Sequence, residues 1–325
     1  MASAELFANQ TDTRKFRKSL LRWFSKKQRK LPWRGETDPY RILVSEIMLQ
    51  QTRVAVVKER YKKFLRQFPT AQRLARAREQ TVLAAWSGLG YYRRAGALRA
   101  AAKEIAGNGG FPSSSVALRE LPGVGRYTAS AVASIAFGEP VPVVDGNVQR
   151  VLQRLHGNQL SDKACWQTAG ELLDQRHPGD FNQAMMELGA LVCLPRQPLC
   201  QACPVAALCA SRGAGARRQQ APRRKAVLTY ALTRRNGHVF LQQRAKDSSL
   251  MPGMWELPAL NAKEKAGKTP LLKLRHSITT TNYTVFVFSS TTGNASAGRW
   301  ISLRSVERLP LTGLARKVMN KLALL

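Results

Sequence analysis

Acidic residues are scarce in this chain: 20 Asp and Glu stand against 52 Lys and Arg, a formal net charge of +32. That deficit points to a polyanionic partner, with nucleic acid ahead of acidic lipid or a merely soluble basic surface. Long apolar runs are lacking too, so no helical membrane span is expected. Met1 to Lys15 has no apolar core ahead of a small-residue cleavage site, so no secretory signal is read there. Cysteine is sparse, at five residues. In the soluble, cytoplasmic setting these absences suggest (nucleoid-associated if the source is bacterial), the cysteines are expected to be thiols or metal ligands, not disulfides. No internal repeat and no long low-complexity segment occurs. What is present in quantity is hydrophobic residues, 44% of 325, enough to bury a core in each of two domains.

From Lys15 to about Ala210 apolar residues recur at helical spacing: Phe16, Leu20, Trp23 and Phe24, then Val54, Val57, Tyr61, Phe64 and Leu65. Asp38-Pro39 reads as an N-cap followed by proline in the first turn. The run through Ile105 stops at Gly107-Asn108-Gly109-Gly110. The pattern predicts an all-α first domain over residues 1–211. Residues 212–225 lose the apolar period and read as a basic linker. Over 226–325 the period shortens. Ala226 to Thr233 and Val239 to Gln243 are strands around the hairpin signal Asn236-Gly237. Tyr283 to Phe288 and Arg299 to Leu303 are further strand candidates, and Thr312 to Leu325 a capped amphipathic helix. The second domain is therefore expected to be α+β and smaller.

Four of the cysteines follow the spacing Cys193-x6-Cys200-x2-Cys203-x5-Cys209. Thiolates bind soft metals, and four within one short segment can close around a single centre. Zinc satisfies the same ligand count. Cys165 stands apart and is expected to pack as a small apolar residue.

Leu121-Pro122-Gly123-Val124-Gly125 separates two helical segments. Gly123 and Gly125 permit a tight turn, and successive amides at the following helix N-terminus can face a phosphate; the same segment also reads as a plain αα-turn. Two carboxylates stand out by context. Glu46 lies in Ile42-Leu43-Val44-Ser45-Glu46-Ile47-Met48-Leu49, where burial should make it hold its proton, as a general acid must. Asp145, in Val143-Val144-Asp145-Gly146-Asn147-Val148, sits where a helix begins, and N-cap donors favour a charged carboxylate. One acid and one carboxylate is the division of labour in glycosyl-bond hydrolysis. The structural alternative is that Glu46 bonds a core donor and Asp145 only caps its helix.

Several of these segments together resemble the MutY-type adenine DNA glycosylases of the endonuclease III, helix–hairpin–helix superfamily. The resemblance is carried by residues 38–52, Gly88-Leu89-Gly90-Tyr91-Tyr92, the hairpin, Val144 to Val148, Asn182 to Gly189, and the six-two-five cysteine spacing. It implies a helix–hairpin–helix glycosylase domain with one four-iron four-sulfur cluster on Cys193, Cys200, Cys203 and Cys209, and duplex DNA as partner, with the protein a monomer. It also implies excision of adenine opposite 8-oxoguanine or guanine. Glu46 would protonate the adenine ring, and Asp145 would stabilise or attack the oxocarbenium-like sugar. Tyr127 and Asn147 would orient these carboxylates, and Arg34 would neighbour the flipped base. Gln51 and Tyr91 would fill the space left in the duplex, with Thr52 and Leu89 near the opposing base. Gly123 and Gly125 would meet the DNA backbone. Bifunctional relatives carry a lysine where this chain has Tyr127, so a monofunctional enzyme is expected.

In this family the second domain is Nudix-like (MutT-like) and reads the oxidised guanine; Met251 to Pro258 is similar to its turn-and-strand segment. Asn261 to Leu274 holds only Glu264 as an acid, too few carboxylates for a metal-dependent nucleotide hydrolase. The chain departs from the family at Ile278-Thr279-Thr280, which takes the place of a Phe-Ser-His lesion reader; Thr279 remains as a hydrogen-bond donor. Two rivals stand. One is an endonuclease III-like glycosylase for oxidised pyrimidines, disfavoured by Tyr127 and the extra domain. The other is a non-catalytic DNA-binding scaffold.

Overall fold

In the structure, a computed structural model, residues 10–212, 224–245, 247–248, 250–260, 267, 269–278, 280–290 and 298–325 are described. Helices run in the order α1 (Gln10–Lys27), α2 (Pro39–Leu49), α3 (Val54–Gln67), α4 (Ala71–Arg76), α5 (Glu79–Ala85), α6 (Arg93–Gly107), α7 (Ser115–Leu118), α8 (Arg126–Ala136), α9 (Gly146–His156), α10 (Asp162–Leu172) and α11 (Pro178–Leu191). The boundary signals act as their chemistry requires. The Asp38 side chain accepts from the amides of Tyr40 and Arg41 at the start of α2, and α6 ends at Gly107.

The chain divides into two units, one of Met1–Ala75 with Ala100–Gln219, the other of Arg76–Arg99 with Gln220–Leu325. In the first, α1, α9, α10 and α11 share a core of Phe16, Leu20, Phe24, Val148, Leu152, Trp166, Phe181 and Leu188. Cys165 is fully buried in that core, as its place in the sequence suggested. The cysteine segment packs on its edge through Val205, Cys193, Cys203 and Cys209. The helix α2 lies against α3 and α8, and α11 against α8 and α9.

In the second unit two small sheets enclose a core. One has the order β1 (Arg224–Leu232), β6 (Thr281–Ser289), β5 (Leu272–Ile278), with β1 parallel to β6 and β5 antiparallel to it. The other joins β2 (Arg234–Arg235), β3 (His238–Gln243) and β4 (Trp255–Glu256), with β7 (Gly298–Ser302) also on β3. The β2–β3 turn is made by Asn236 and Gly237 at φ 46° and 70°, as that dipeptide predicts. Two helices follow, α12 (Leu303–Val306) and α13 (Gly313–Lys321). Thr312 caps α13 by accepting from the Ala315 amide, and Leu314, Val318 and Met319 enter the core beside Leu241, Trp255 and Val287.

Two boundaries differ from the sequence reading. Residues 76–99 cluster with the second unit instead of the first domain of 1–211, because Tyr92 donates to the Leu311 carbonyl at 3.3 Å and Arg316 Nε to Ser87 Oγ at 2.9 Å. The basic segment 212–225 gives way to β1 two residues early, at Arg224, where the ladder with Thr281 begins. Strand β5 was not legible, since Lys273, Arg275 and Ser277 alternate with half-buried residues at its exposed edge.

Candidate active site

Helix α2 buries Ile42, Leu43, Val44, Ile47 and Met48, and this carries Glu46 into the interior, where it is 5% exposed. Its Oε2 accepts from the Tyr127 hydroxyl at 2.8 Å. Burial pushes the Glu46 carboxyl up to about 7; the Tyr127 hydrogen bond opposes that rise, the Asp145 charge adds to it, and the Arg34 charge opposes it. A carboxyl so placed is an acid with a proton to give near neutral pH. Burial, together with the Glu46 and Asp145 charges, pushes the Tyr127 phenol well above its ordinary value, so it stays a neutral donor. Its oxygen lies 3.2 Å from Met186 Sδ on α11.

Asp145 is the N-cap of α9, half-buried and held from three directions. The amides of Asn147 and Val148 donate to Oδ1 at 2.9 and 2.7 Å, and Asn147 Nδ2 donates to Oδ2 at 2.8 Å. Asn147 is in turn fixed by Arg150, whose Nη2 donates to Asn147 Oδ1 at 2.8 Å and to the Gly189 carbonyl at 2.7 Å.

A second polar cluster adjoins Glu46. Glu187, on α11, has a side chain only 2% exposed and accepts from Arg29 through its amide, Nε and Nη2, each at 2.8 Å, and from Arg34 Nη2 at 3.0 Å. Burial pushes the Glu187 carboxyl up, but the Arg29 hydrogen bonds and the two guanidinium charges outweigh it and hold it low. Arg34 also donates from Nη1 to Gln183 Oε1, with its guanidinium 5.0 Å from the centre of the Phe24 ring. Of the residues singled out in the sequence, Glu46, Tyr127, Asp145, Asn147 and Arg34 thus stand together. Gln183 and Glu187 were missed, although Glu187, like Glu46, is a carboxylate with apolar neighbours, in Ala184-Met185-Met186-Glu187-Leu188-Gly189.

The expected hairpin is formed by Leu121 to Gly125 between α7 and α8. Gly123 has φ +75°, and Gly125, exposed and extended, is the N-cap of α8, with nothing within 4 Å of where a Cβ would be. The first amides of α8 are therefore open to an approaching anion. Arg126 beside them lies over the Trp166 ring at 3.8 Å. Gln51 is exposed just past the end of α2 with φ 54°, a conformation that non-glycine residues seldom adopt. Thr52, half-buried next to it, donates to the Gln50 carbonyl at 3.3 Å. In the second unit Tyr91 is 44% exposed, also at positive φ, whereas Leu89 is buried. Thr279 lies outside the described residues.

Two arginines of α9 hold the cysteine segment. Arg150 Nε donates to the Cys193 carbonyl at 2.8 Å, and Arg154 Nη1 to Cys193 Sγ at 3.2 Å and to the Leu194 carbonyl at 2.7 Å. Burial pushes the Cys203 thiol up to about 11; a hydrogen bond from the Val205 amide opposes that rise, and Cys193, Cys209 and Cys200 each add to it. Among the described residues no three Cys, His, Asp or Glu side chains converge on a single-ion position.

Residues 44–174 match the family model of HhH-GPD superfamily base excision DNA repair proteins. A human protein named adenine DNA glycosylase is 44% identical over 229 residues, covering 65% of this chain and 42% of its own length. An Arabidopsis thaliana protein of the same name is 37% identical over 314 residues, covering 81% of this chain and 50% of its own. The chain thus spans about half the length of these curated relatives. A solved thermostable thymine-DNA glycosylase is 31% identical with a TM-score of 0.60, covering 63% of this chain and 99% of that one. An endonuclease III–DNA covalent intermediate, 24% identical with a TM-score of 0.55 over 63% of this chain and 98% of its own, shares the fold.

Proposed function

This chain belongs to the HhH-GPD superfamily of base excision DNA repair proteins, and on that premise we propose that it is a monofunctional adenine DNA glycosylase. Its substrate is duplex DNA with adenine opposite 8-oxoguanine or guanine, and the bond hydrolysed is the N-glycosidic bond of that adenine. The observation that carries the reading is the pairing of a buried, proton-holding Glu46 with an Asp145 gripped by three N–H donors.

The residues divide the work as follows. The flipped base enters between Glu46 and the Arg34–Glu187 pair. Glu46 gives its proton to a ring nitrogen, so the C1′–N bond breaks with a neutral base as leaving group. Asp145 faces the positive charge that develops on the sugar. Water adds at C1′, and its proton returns to a carboxylate. Tyr127 keeps Glu46 aimed, while Arg34 and Glu187 supply a donor and an acceptor for the base edge. Since Tyr127 has no amine, no imine forms with the sugar and the strand is left intact.

The cysteine segment suits the four-iron four-sulfur cluster. Four thiols at the six-two-five spacing lie in one short segment that Arg150 and Arg154 of α9 hold in place, the ligand number and type that such a cluster takes. The cluster would be held by Cys193, Cys200, Cys203 and Cys209 and would shape a DNA-contacting segment; the carboxylates suffice for hydrolysis. Residues 226–325 are read as the Nudix-like lesion-recognition domain, and the protein as a cytoplasmic monomer acting on DNA.

The test is single-turnover base release from duplexes with adenine opposite 8-oxoguanine, guanine or thymine, followed by alkali. Release from the first two only is expected. Tight binding with no release from any duplex would favour the non-catalytic scaffold.

A further inference from the structure

The connection between α5 and α6 keeps a shape that its own backbone resists. Gly88, Gly90 and Tyr91 all stand at positive φ, at 93°, 69° and 46°, and for a tyrosine that conformation persists only where the surroundings impose it. The ring gains no burial in return: Tyr91 is exposed, whereas its neighbour Tyr92 is buried. What imposes the shape is Arg94, in the first turn of α6. Its Nη2 donates to the carbonyls of Leu89 and Gly90, each at 3.1 Å, and its Nε to that of Tyr91 at 3.4 Å. Three successive carbonyls thus turn onto one guanidinium; without a cation there, their dipoles would push them apart. The same guanidinium lies 5.6 Å from the centre of the Trp86 ring and 5.4 Å from that of Tyr91. Trp86, fully buried, donates from Nε1 to the Gly90 carbonyl at 3.1 Å, so that oxygen is held twice. Burial lowers the Arg94 guanidinium to about 10, with Tyr91 opposing the fall, which leaves it a cation at neutral pH.

We propose that Arg94 is a positioning residue for base extrusion: it fixes the Gly88–Tyr91 loop in the free protein, so that the Tyr91 ring meets the duplex already set as a stacking wedge. This role rests on the glycosylase reading. An adenine leaving the helix gives up its stacking, and an aromatic ring that enters the gap recovers part of that loss. A ring on a loop that had first to be ordered would return some of the gain as entropy, whereas a loop already held by Arg94 and Trp86 does not. Arginine suits the task better than lysine. Its planar fork can bond three carbonyls and lie beside two rings at once, while an ammonium is a point charge.

The experiment follows extrusion apart from base release, in the full chain carrying Glu46→Gln. A duplex has 2-aminopurine, an adenine analogue that brightens on leaving the stack, opposite 8-oxoguanine, and brightening is timed by stopped flow at saturating protein. Adding Arg94→Met should leave duplex affinity within about threefold but slow brightening about tenfold, with Arg94→Lys in between. Tyr91→Ala should slow it at least as much, and joining it to Arg94→Met should add nothing further, because both remove the same wedge. An arginine that only stabilised the fold would give losses that multiply. If melting curves show Arg94→Met to be unfolded, Arg94→Lys takes its place in the double-mutant cycle. Brightening at the parent rate in both Arg94 variants, or losses that multiply with Tyr91→Ala, would overturn this role. Absence of adenine release by the wild type would overturn the glycosylase reading, whereas release together with brightening indifferent to Arg94 would overturn the Arg94 role alone.

Discussion

Gly189 on α11 is pressed against Asn147: a methyl group at Gly189 would stand 2.6 Å from Asn147 Cβ and 2.9 Å from its carbonyl oxygen. The contact sets how far the start of α9, with Asp145 at its cap, can stand from α11. Arg150 closes the same junction by bonding both Asn147 Oδ1 and the Gly189 carbonyl.

Gly189→Ala should therefore push the α9 cap away. We expect a loss of roughly 1–3 kcal/mol in stability, the usual cost of overpacking, and a fall in base release at temperatures where the variant is fully folded. Melting curves and single-turnover rates measured together check this; wild-type behaviour in both would mean the junction gives way freely.

Asp145→Asn separates capping from charge. Asparagine keeps one oxygen to accept from the Asn147 and Val148 amides but replaces the acceptor of Asn147 Nδ2 by a donor, so a modest stability loss of about 1–2 kcal/mol is expected. The charge facing the developing cation is gone, and base release should fall by about a thousandfold or more. A variant as active as wild type would reduce Asp145 to a helix cap.

Glu46 gives a pH signature. Its folded-state value, about 7, lies above the ordinary 4.5. The protonated form is thus favoured in the fold, and the associated stability is complete below the unfolded value and lost as pH rises through about 7. Between pH 5 and 8 the wild type should lose up to about 3 kcal/mol relative to Glu46→Gln. Base release should decline over the upper part of that range, and Glu46→Gln should bind duplex without releasing adenine. A flat difference in stability with pH would show that Glu46 is ionised in the fold throughout.

What could be read from the chain alone was what is written in consecutive residues. The caps at Asp38, Asp145 and Thr312, the Asn236-Gly237 turn and the cysteine spacing are local signals with a local cause. Glu46 stood out because its neighbours are apolar. The Arg29–Glu187–Arg34 cluster was not seen, because its members are separated by about 150 positions and only packing of the Ser25–Thr37 segment on α11 joins them. The grouping of residues 76–99 with the second unit has the same origin, in bonds such as Tyr92 to Leu311 that span the chain. Strand β5 escaped because an edge strand with one face in solvent has little apolar content to show.

That cluster carries the last prediction. Glu187 neutralises two arginines, and Arg34 is one of the charges that pull the Glu46 carboxyl down. Glu187→Gln leaves both guanidinium groups without their counter-charge. Breaking such a buried pair should cost roughly 2–4 kcal/mol, less than a fully buried case since a third of the Arg29 side chain is exposed. The kinetic effect is more specific. With Glu187 uncharged, the Arg34 field on Glu46 is no longer offset, so Glu46 should lose its proton at lower pH. The falling limb of the base-release profile should then move toward acid, and the rate loss should be larger at pH 8 than at pH 5.5. A purely structural role for Glu187 would lower the rate evenly across pH and leave the midpoint of that limb where it was.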